Sequence, residues 1–428
     1  MNNKIDGLLT VCKLPYMDIE FKRQFHDLFV TRRAEQFSFL SELVRAPSEN
    51  PPGGCAEISA LVASRLETLG FNVERHPEPS GDDPKEGLSN LVIRHEFGPG
   101  PTIALVAHGD TAVAGPDWAH DPFGGEIIDG SMFGRGVASG KGDIAAYVYA
   151  LLALRELGDG LGGSVELHIT FDGETGGDLG ARWLLSNKIV APDLTIASGA
   201  TYNLVTTANG YLQLEVEIRG RGAPASMPDD GIDAVEAAAR VMSAIYEHRE
   251  TYSKITSKVP GIGSPTLVVS EVQGGESPRS VAGRVVLRID RRLIPEEDPA
   301  KVENTLTTLI GTSVTKVAGV LCKVRRRGLS KAMTPGGDTK VLVDTFQRHA
   351  ADILGAELEL RGTPLDTDGR HYANVGIPTV LFGTGPADVS SANIGGPDEV
   401  LSLDDLRLST ELLSFVLADL LSEKTDET

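Results

Sequence analysis

Cysteine, aromatic residues and long apolar runs are all scarce in this chain of 428 residues. The three cysteines, Cys12, Cys55 and Cys322, lie far apart and form no metal-type spacing. So sparse and odd a set points to a reducing compartment, and a cytoplasmic protein is expected. No apolar run approaches the ~18 residues that a bilayer-crossing helix needs. The first twenty residues, "MNNKIDGLLTVCKLPYMDIE", lack the basic start and apolar core of a signal peptide. Positive charge is in deficit too: 40 Lys and Arg stand against 60 Asp and Glu, a net charge of −20. With a pI near 4.9, nucleic acid and anionic membranes are disfavoured as partners, although a local site can reverse the global field.

What remains is an ordinary globular composition, with 41% hydrophobic and 23% charged residues. The length favours two domains over one core. Up to about residue 207, strand patterns alternate with helical ones, as in a three-layer α/β domain. Residues from about Phe21 to Val44 read as a helix stopped by "APSENPPGG". "KGDIAAYVYALLALRELG" and "DLGARWLLSNK" read as further helices, and "SNLVIRHEF", "PTIALVAHGD" and "GGSVELHIT" as strands. From about residue 208 to 328 the pattern changes to β-α-β-β-α-β, starting with the period-two "YLQLEVEIRG". The α/β pattern then resumes over 329–428, so the second domain is inserted into the first. "DDPKEG" and "SEKTDET" read as a loop and a frayed tail.

One strand carries chemistry at its end. The apolar run Ile103–Ala107 leads into His108, with Asp110 two residues on. A buried strand would deliver an imidazole and a carboxylate together at its C-terminal end, which reads as half of a metal site.

The chain resembles the M20 metallopeptidase family, the group of carboxypeptidase G2, acetylornithine deacetylase and succinyl-diaminopimelate desuccinylase. The resemblance rests on "SENPPGG", "AHGDT", "DGSMFGRGVASGKGD", "TFDGETGG", "GIDAVEAAA", "IDRR", "TDGRHYANVGIP" and "GPDEV", in order along nearly the whole chain. It implies a zinc-peptidase-like α/β domain with an inserted ferredoxin-like lid that also serves for dimerisation. It implies two zinc ions at the C-terminal ends of the sheet strands. It makes His108 and Glu174 metal ligands and Asp110 the carboxylate that orients His108.

Several positions depart from that pattern. Ser139 stands where the family has its metal-bridging Asp, and Gly173 where it has its general base. Gly199 and Gly395 replace two further ligands, and Pro224 replaces the histidine of the lid. Glycine donates nothing to a metal, and a neutral serine bridges poorly. Asp366, Asp368 and His371 cluster in "LDTDGRHYA" as replacement donors or acids and bases. Asp143 reads as a helix cap or a metal ligand, and His168 as a packed core residue or a chemical one. Arg292 matches the lid arginine that grips substrate carboxylates in relatives, and Arg370 is the other candidate for that task, which suits the planar guanidinium fork.

Three functions follow as alternatives. The first is a divergent hydrolase of a C–N bond in a small carboxylate-bearing molecule, using at most one metal ion (Zn, Mn or Co) on His108 and Glu174. The second is a metal-free enzyme using Asp110, Asp366 or His371 as acid or base, with Ser139, Arg292 and Arg370 contacting substrate. The third is a non-catalytic binding or regulatory protein. A homodimer through the inserted domain is expected in each case.

Overall fold

A computed structural model describes residues 19–79, 88–158, 160–199, 201–275, 277–365, 367–386 and 389–422. Cys12, Asp366, the "DDPKEG" stretch and residues 423–428 lie outside the described residues. The chain divides into two compact units. Unit 1 runs to Leu204 and resumes over Pro335–Glu359 and from Thr367; unit 2 comprises Val205–Thr334 and Leu360–Asp366.

Unit 1 opens with α1 (Ile19–Arg45) and α2 (Ala56–Thr68), followed by β1 (Val73–Pro77), β2 (Ser89–Glu96) and β3 (Thr102–His108). A small hairpin, β4 (Glu126–Ile128) and β5 (Ser131–Phe133), precedes α3 (Lys141–Leu157). Then come β6 (Ser164–Thr170), the short α4 (Ala181–Ser186) and β7 (Leu194–Ala197). Residues Ile103–Ala107 of β3 are all buried, as expected of a strand covered on both faces. Every residue of α3 from Lys141 to Leu154 is buried, which explains a helix apolar almost all round. "DLGARWLLSNK" is helical over Ala181–Ser186 only. The Leu179 amide just before it donates to the Asp172 side chain, so that stretch forms a turn instead of a first helical turn.

Unit 2 begins at β8 (Leu204–Ala208) and β9 (Gly210–Arg219), with the two-residue β10 (Ala223–Pro224), α5 (Ala234–Glu250), β11 (Thr266–Gly274), β12 (Ser280–Val281), β13 (Arg284–Leu293), α6 (Pro299–Val314) and β14 (Leu321–Ser330). The main strands form an antiparallel sheet in the order β11-β13-β9-β14. Leu212, Leu214, Val216 and Ile218 alternate along β9 and enter one core with Val241 of α5 and Leu306 of α6. Asp233 and Asp298 cap the two helices through the amides that follow them.

The chain ends with α7 (Thr339–Ile353), β15 (Leu360–Thr363), α8 (Gly369–Asn374), β16 (Thr379–Leu381), β17 (Val400–Ser402) and α9 (Leu403–Leu421). Within unit 1 the large sheet runs β1-β2-β6-β3-β7-β16. It is mixed: β6, β3, β7 and β16 are parallel neighbours, while β1 and β2 pair antiparallel. The four parallel strands therefore end on one edge, at His108, Thr170, Ala197 and Leu381, where open α/β sheets place their ligands.

Candidate active site

His108 is the last residue of β3, and its Nδ1 lies 3.1 Å from Asp110 Oδ1. Asp110 is buried and held from three further directions. The Gly173 and Glu174 amides donate to its two oxygens at 3.0 and 3.1 Å, and Asn50 Nδ2 donates at 3.2 Å. So many donors fix the carboxylate in place, and with it the imidazole in one orientation. Burial disfavours a charged His108, but the hydrogen bond and charge of Asp110, with Glu174 and Asp368, overcome this and raise its pKa to about 10. Asn50 escaped the sequence reading as a site residue, although its motif "SENPPGG" did not.

The turn after β6 carries Asp172, Gly173 and Glu174. Glu174 is exposed as a residue, yet desolvation of its carboxyl and the charge of Asp110 raise its pKa, against the pull of His108. Gly173 leaves no room for a side chain. A Cβ there would stand 2.4 Å from His108 Cγ and 2.7 Å from His108 Cβ. Gly199, after β7, is equally confined: a Cβ would meet the Phe382 amide nitrogen at 2.7 Å and backbone of Leu381 at 2.9 Å. Gly395 alone opens into space, with nothing within 4 Å. Ser139 is half-buried, one residue before the start of the turn into α3.

Asp143 is fully buried and works as a cap and more. It accepts from the Gly140 amide at 3.3 Å, from the Thr384 amide at 2.9 Å and from the Ser198 hydroxyl. It thereby joins the start of α3 to the loops after β7 and β16. Burial pushes its pKa up, and these donors pull it back.

A second acidic group lies between the Asp172 turn and α8. Thr170 Oγ1 donates to Asp368 at 3.2 Å. Burial and the charge of Asp172 raise Asp368 to about 7, and burial with its backbone donors and Asp110 sets Asp172 at about 6. Arg370 is 1% exposed and donates to the Gly176 carbonyl; His371 Nε2 meets the same oxygen at 2.9 Å. Burial and the Arg370 charge lower His371 to about 4. Arg370 is thus packed beneath the glycine turn instead of facing solvent. His168 is a core residue, bonded to Glu166 and to the Tyr372 hydroxyl at 2.8 Å each.

Arg292 lies on β13 of unit 2. Its Nε donates to Asp290 at 2.9 Å, and its side chain is 31% exposed. Its neighbour Arg291 is buried against the Tyr252 ring and paired with Glu297, which separates the two arginines of "IDRR" into a structural and an accessible one.

The described residues do not fit a pair of metal ions. Such a centre needs an anionic bridge and further donors on each ion. Among the described residues, no group of three or more His, Cys, Asp or Glu stands where it could hold an ion. The spaces beside Gly173 and Gly199 are filled by His108 and by backbone.

The profile of Peptidase family M20/M25/M40 matches residues 104–419. A succinyl-diaminopimelate desuccinylase of Marinobacter nauticus is 26% identical over 398 residues, 89% of this chain and 97% of that protein. An acetylornithine deacetylase of Myxococcus xanthus is 27% identical over 348 residues, 80% of this chain and 86% of its own length. Among solved structures, an M20 family metallo-carboxypeptidase from Sulfolobus solfataricus superposes with a TM-score of 0.71 at 19% identity, covering 90% of this chain and 98% of that one. Human carnosine dipeptidase 1 gives 0.74 at 17% identity, over 94% and 100%. With the mixed sheet and the β-α-β-β-α-β unit in place, the chain belongs to peptidase family M20/M25/M40, a family of hydrolases of amide bonds.

Proposed function

We propose that this protein hydrolyses a C–N bond in a small carboxylate-bearing molecule and does so without a dinuclear metal centre. The family membership supports hydrolysis. The contact between His108 and Gly173 supports the second half: the place of a general base is taken by an imidazole already committed to Asp110. At most one ion would find donors, on His108 and Glu174, and no chemical step is assigned to it.

The groups that remain suit electrostatic and acid–base work. Asp110 holds His108 through Nδ1, which leaves Nε2 to donate toward a substrate carbonyl. A fixed positive donor aimed at a developing oxyanion is an effective form of catalysis. Glu174 is a carboxylate with a raised pKa on the same turn, suited to taking a proton from water. On unit 2, Arg292 is by itself suited to pairing with a carboxylate.

The test joins metal analysis to turnover. Protein grown with supplemented zinc is expected to hold no more than one ion per chain. After chelation it is expected to retain hydrolysis of a responsive compound from a panel of N-acyl amino acids and aminobenzoate amides. Two ions per chain, together with activity that disappears on chelation, would overturn the reading. Tight binding without turnover of any compound would leave a binding protein in its place.

A further inference from the structure

We infer that the solvent face of the unit 2 sheet binds an acidic peptide chain, which runs along β13 and β14 from Arg292. The inference rests on the carboxylate reading of Arg292 only for the anchored end of the peptide.

The strand register brings the relevant side chains onto one face. Arg288 on β13 and Arg325 on β14 both stand opposite Glu215 of the central strand β9. Residues directly opposite in an antiparallel sheet point to the same side. The other side is occupied by the core of Leu214, Val216, Leu287 and Ile289. Arg325 reaches Glu215 at 3.1 Å, and Arg288 and Arg327 approach it at 4.0 Å. The glutamate lies low, with 13% of its side chain exposed, whereas the three arginines are 43–57% exposed. Glu271 also takes Arg288 at 3.2 Å, and Glu217 takes Arg325 at 3.6 Å beside Arg219 and Arg284, so three carboxylates serve five arginines on this face and two positive charges remain in excess. Ladder pairs of this kind stabilise a sheet only weakly, and one arginine per glutamate would suffice for that. The surplus is positive charge turned to solvent.

Its sign opposes that of the molecule as a whole. The chain carries a net charge of −20, so an acidic ligand is repelled by the average surface and attracted here. Arg292 and Arg288 are four residues apart on one strand, or roughly 13 Å at the rise of a β-strand. An extended peptide sets alternate side chains about 7 Å apart, so acidic side chains four positions apart on it would match the two arginines. A nucleic acid is a poorer match. Single strands are bound by cations interleaved with aromatic stacking platforms. The only aromatic residue on β9, β11, β13 and β14 is Tyr211, which is 8% exposed.

The experiment uses the whole protein and two labelled peptides, pentaglutamate and pentaglutamine, in fluorescence anisotropy at low and physiological salt. Pentaglutamate is expected to bind at least about tenfold more tightly, with the advantage shrinking as salt rises. The triple variant Arg288→Gln/Arg325→Gln/Arg327→Gln is expected to lose about that factor while keeping its circular dichroism spectrum. Arg327→Gln alone serves should the triple variant fail to fold, with a smaller loss expected. Equal binding of the two peptides, unchanged binding by the folded variants, or tighter binding of oligothymidylate than of pentaglutamate would overturn the inference. Failure of Arg292→Ala to weaken a single-carboxylate ligand would sink the earlier reading alone, because the arginine face is judged on the peptide pair and the other three arginines.

Discussion

His108 occupies the space that any side chain on residue 173 would enter, with its Cγ 2.4 Å from the position of a Cβ there. The imidazole is not a loose end that can swing aside, because Nδ1 is tied to a buried Asp110 whose own oxygens are held by the Gly173 and Glu174 amides. Glycine at 173 and the His108–Asp110 pair therefore form one arrangement. Gly173→Ala is expected to destabilise the protein by about 1–3 kcal/mol, the usual range for forcing atoms into a packed site. Gly173→Glu is expected to restore a carboxylate without restoring peptidase turnover, since groups that act as a unit are strongly non-additive. Denaturant melts and a peptide-hydrolysis assay check both. Robust turnover from Gly173→Glu, or an unchanged melt for Gly173→Ala, would show that the site is more adaptable than this.

The same pair predicts a pH dependence of stability. The folded protein raises His108 from an ordinary 6.5 to about 10. A raised histidine holds its proton more tightly when folded, so its contribution is complete below about pH 6.5 and is lost as the pH climbs through about 10. The urea midpoint is expected to fall between pH 7 and pH 10 in the parent protein, and to fall less in His108→Gln. Asp172 and Asp368, raised to about 6 and about 7, act in the opposite sense to an ordinary paired carboxylate. Their stabilising proton is lost between about 3.8 and 7, so they affect a lower window. A parent profile that is flat from pH 7 to 10 contradicts the assignment.

Much of the fold is legible in residue order. The buried run before His108 and the alternation in "YLQLEVEIRG" declare their strands. The motif order also leads to the family. Spatial occupancy is not legible in the same way. His108 and Gly173 are distant in sequence, and only the parallel pairing of β3 with β6 sets one against the other. A glycine at the place of a base or a ligand reads as a vacancy, whereas at 173 and 199 the space is filled. Arg370 shows the same limit, since "TDGR" marks its position but not that the guanidinium turns inward to a carbonyl. Asp143 had two readings, cap or ligand; its bonds to Gly140, Ser198 and Thr384 come from three separate segments, and only the first is local.

Association through unit 2 is a further expectation. β11 is an edge strand of the four-stranded sheet, and Val268 and Val272 on it are 41% and 55% exposed. A long edge with apolar side chains is a liability unless another strand or surface covers it. A second copy is expected to cover it with closed two-fold symmetry. Sedimentation equilibrium is expected to show a dimer at micromolar concentration, and Val272→Lys is expected to shift it toward monomer. A parent protein that sediments as a monomer there counts against the edge as an interface.

The most direct test of substrate class concerns Arg292. Of the two candidate arginines for carboxylate recognition, Arg370 is buried against the Gly176 carbonyl, and Arg292 keeps about a third of its side chain in solvent. Its Nε is steadied by Asp290, which fixes the guanidinium plane before a ligand arrives and lowers the entropy lost on binding. A hydrogen bond to a charged partner contributes roughly 1.5–3 kcal/mol, equivalent to about a ten- to hundredfold change in affinity. Arg292→Ala is therefore expected to weaken a single-carboxylate ligand by that factor. Arg292→Lys should recover only part of the loss, because a point charge lacks the planar fork that pairs both carboxylate oxygens. Calorimetry with the best compound from the acyl-amino-acid and aminobenzoate screen measures both variants. If the uncharged amide of that compound binds as well as the acid, or if Arg292→Ala leaves the affinity unchanged, the ligand is not held by its carboxylate at this residue.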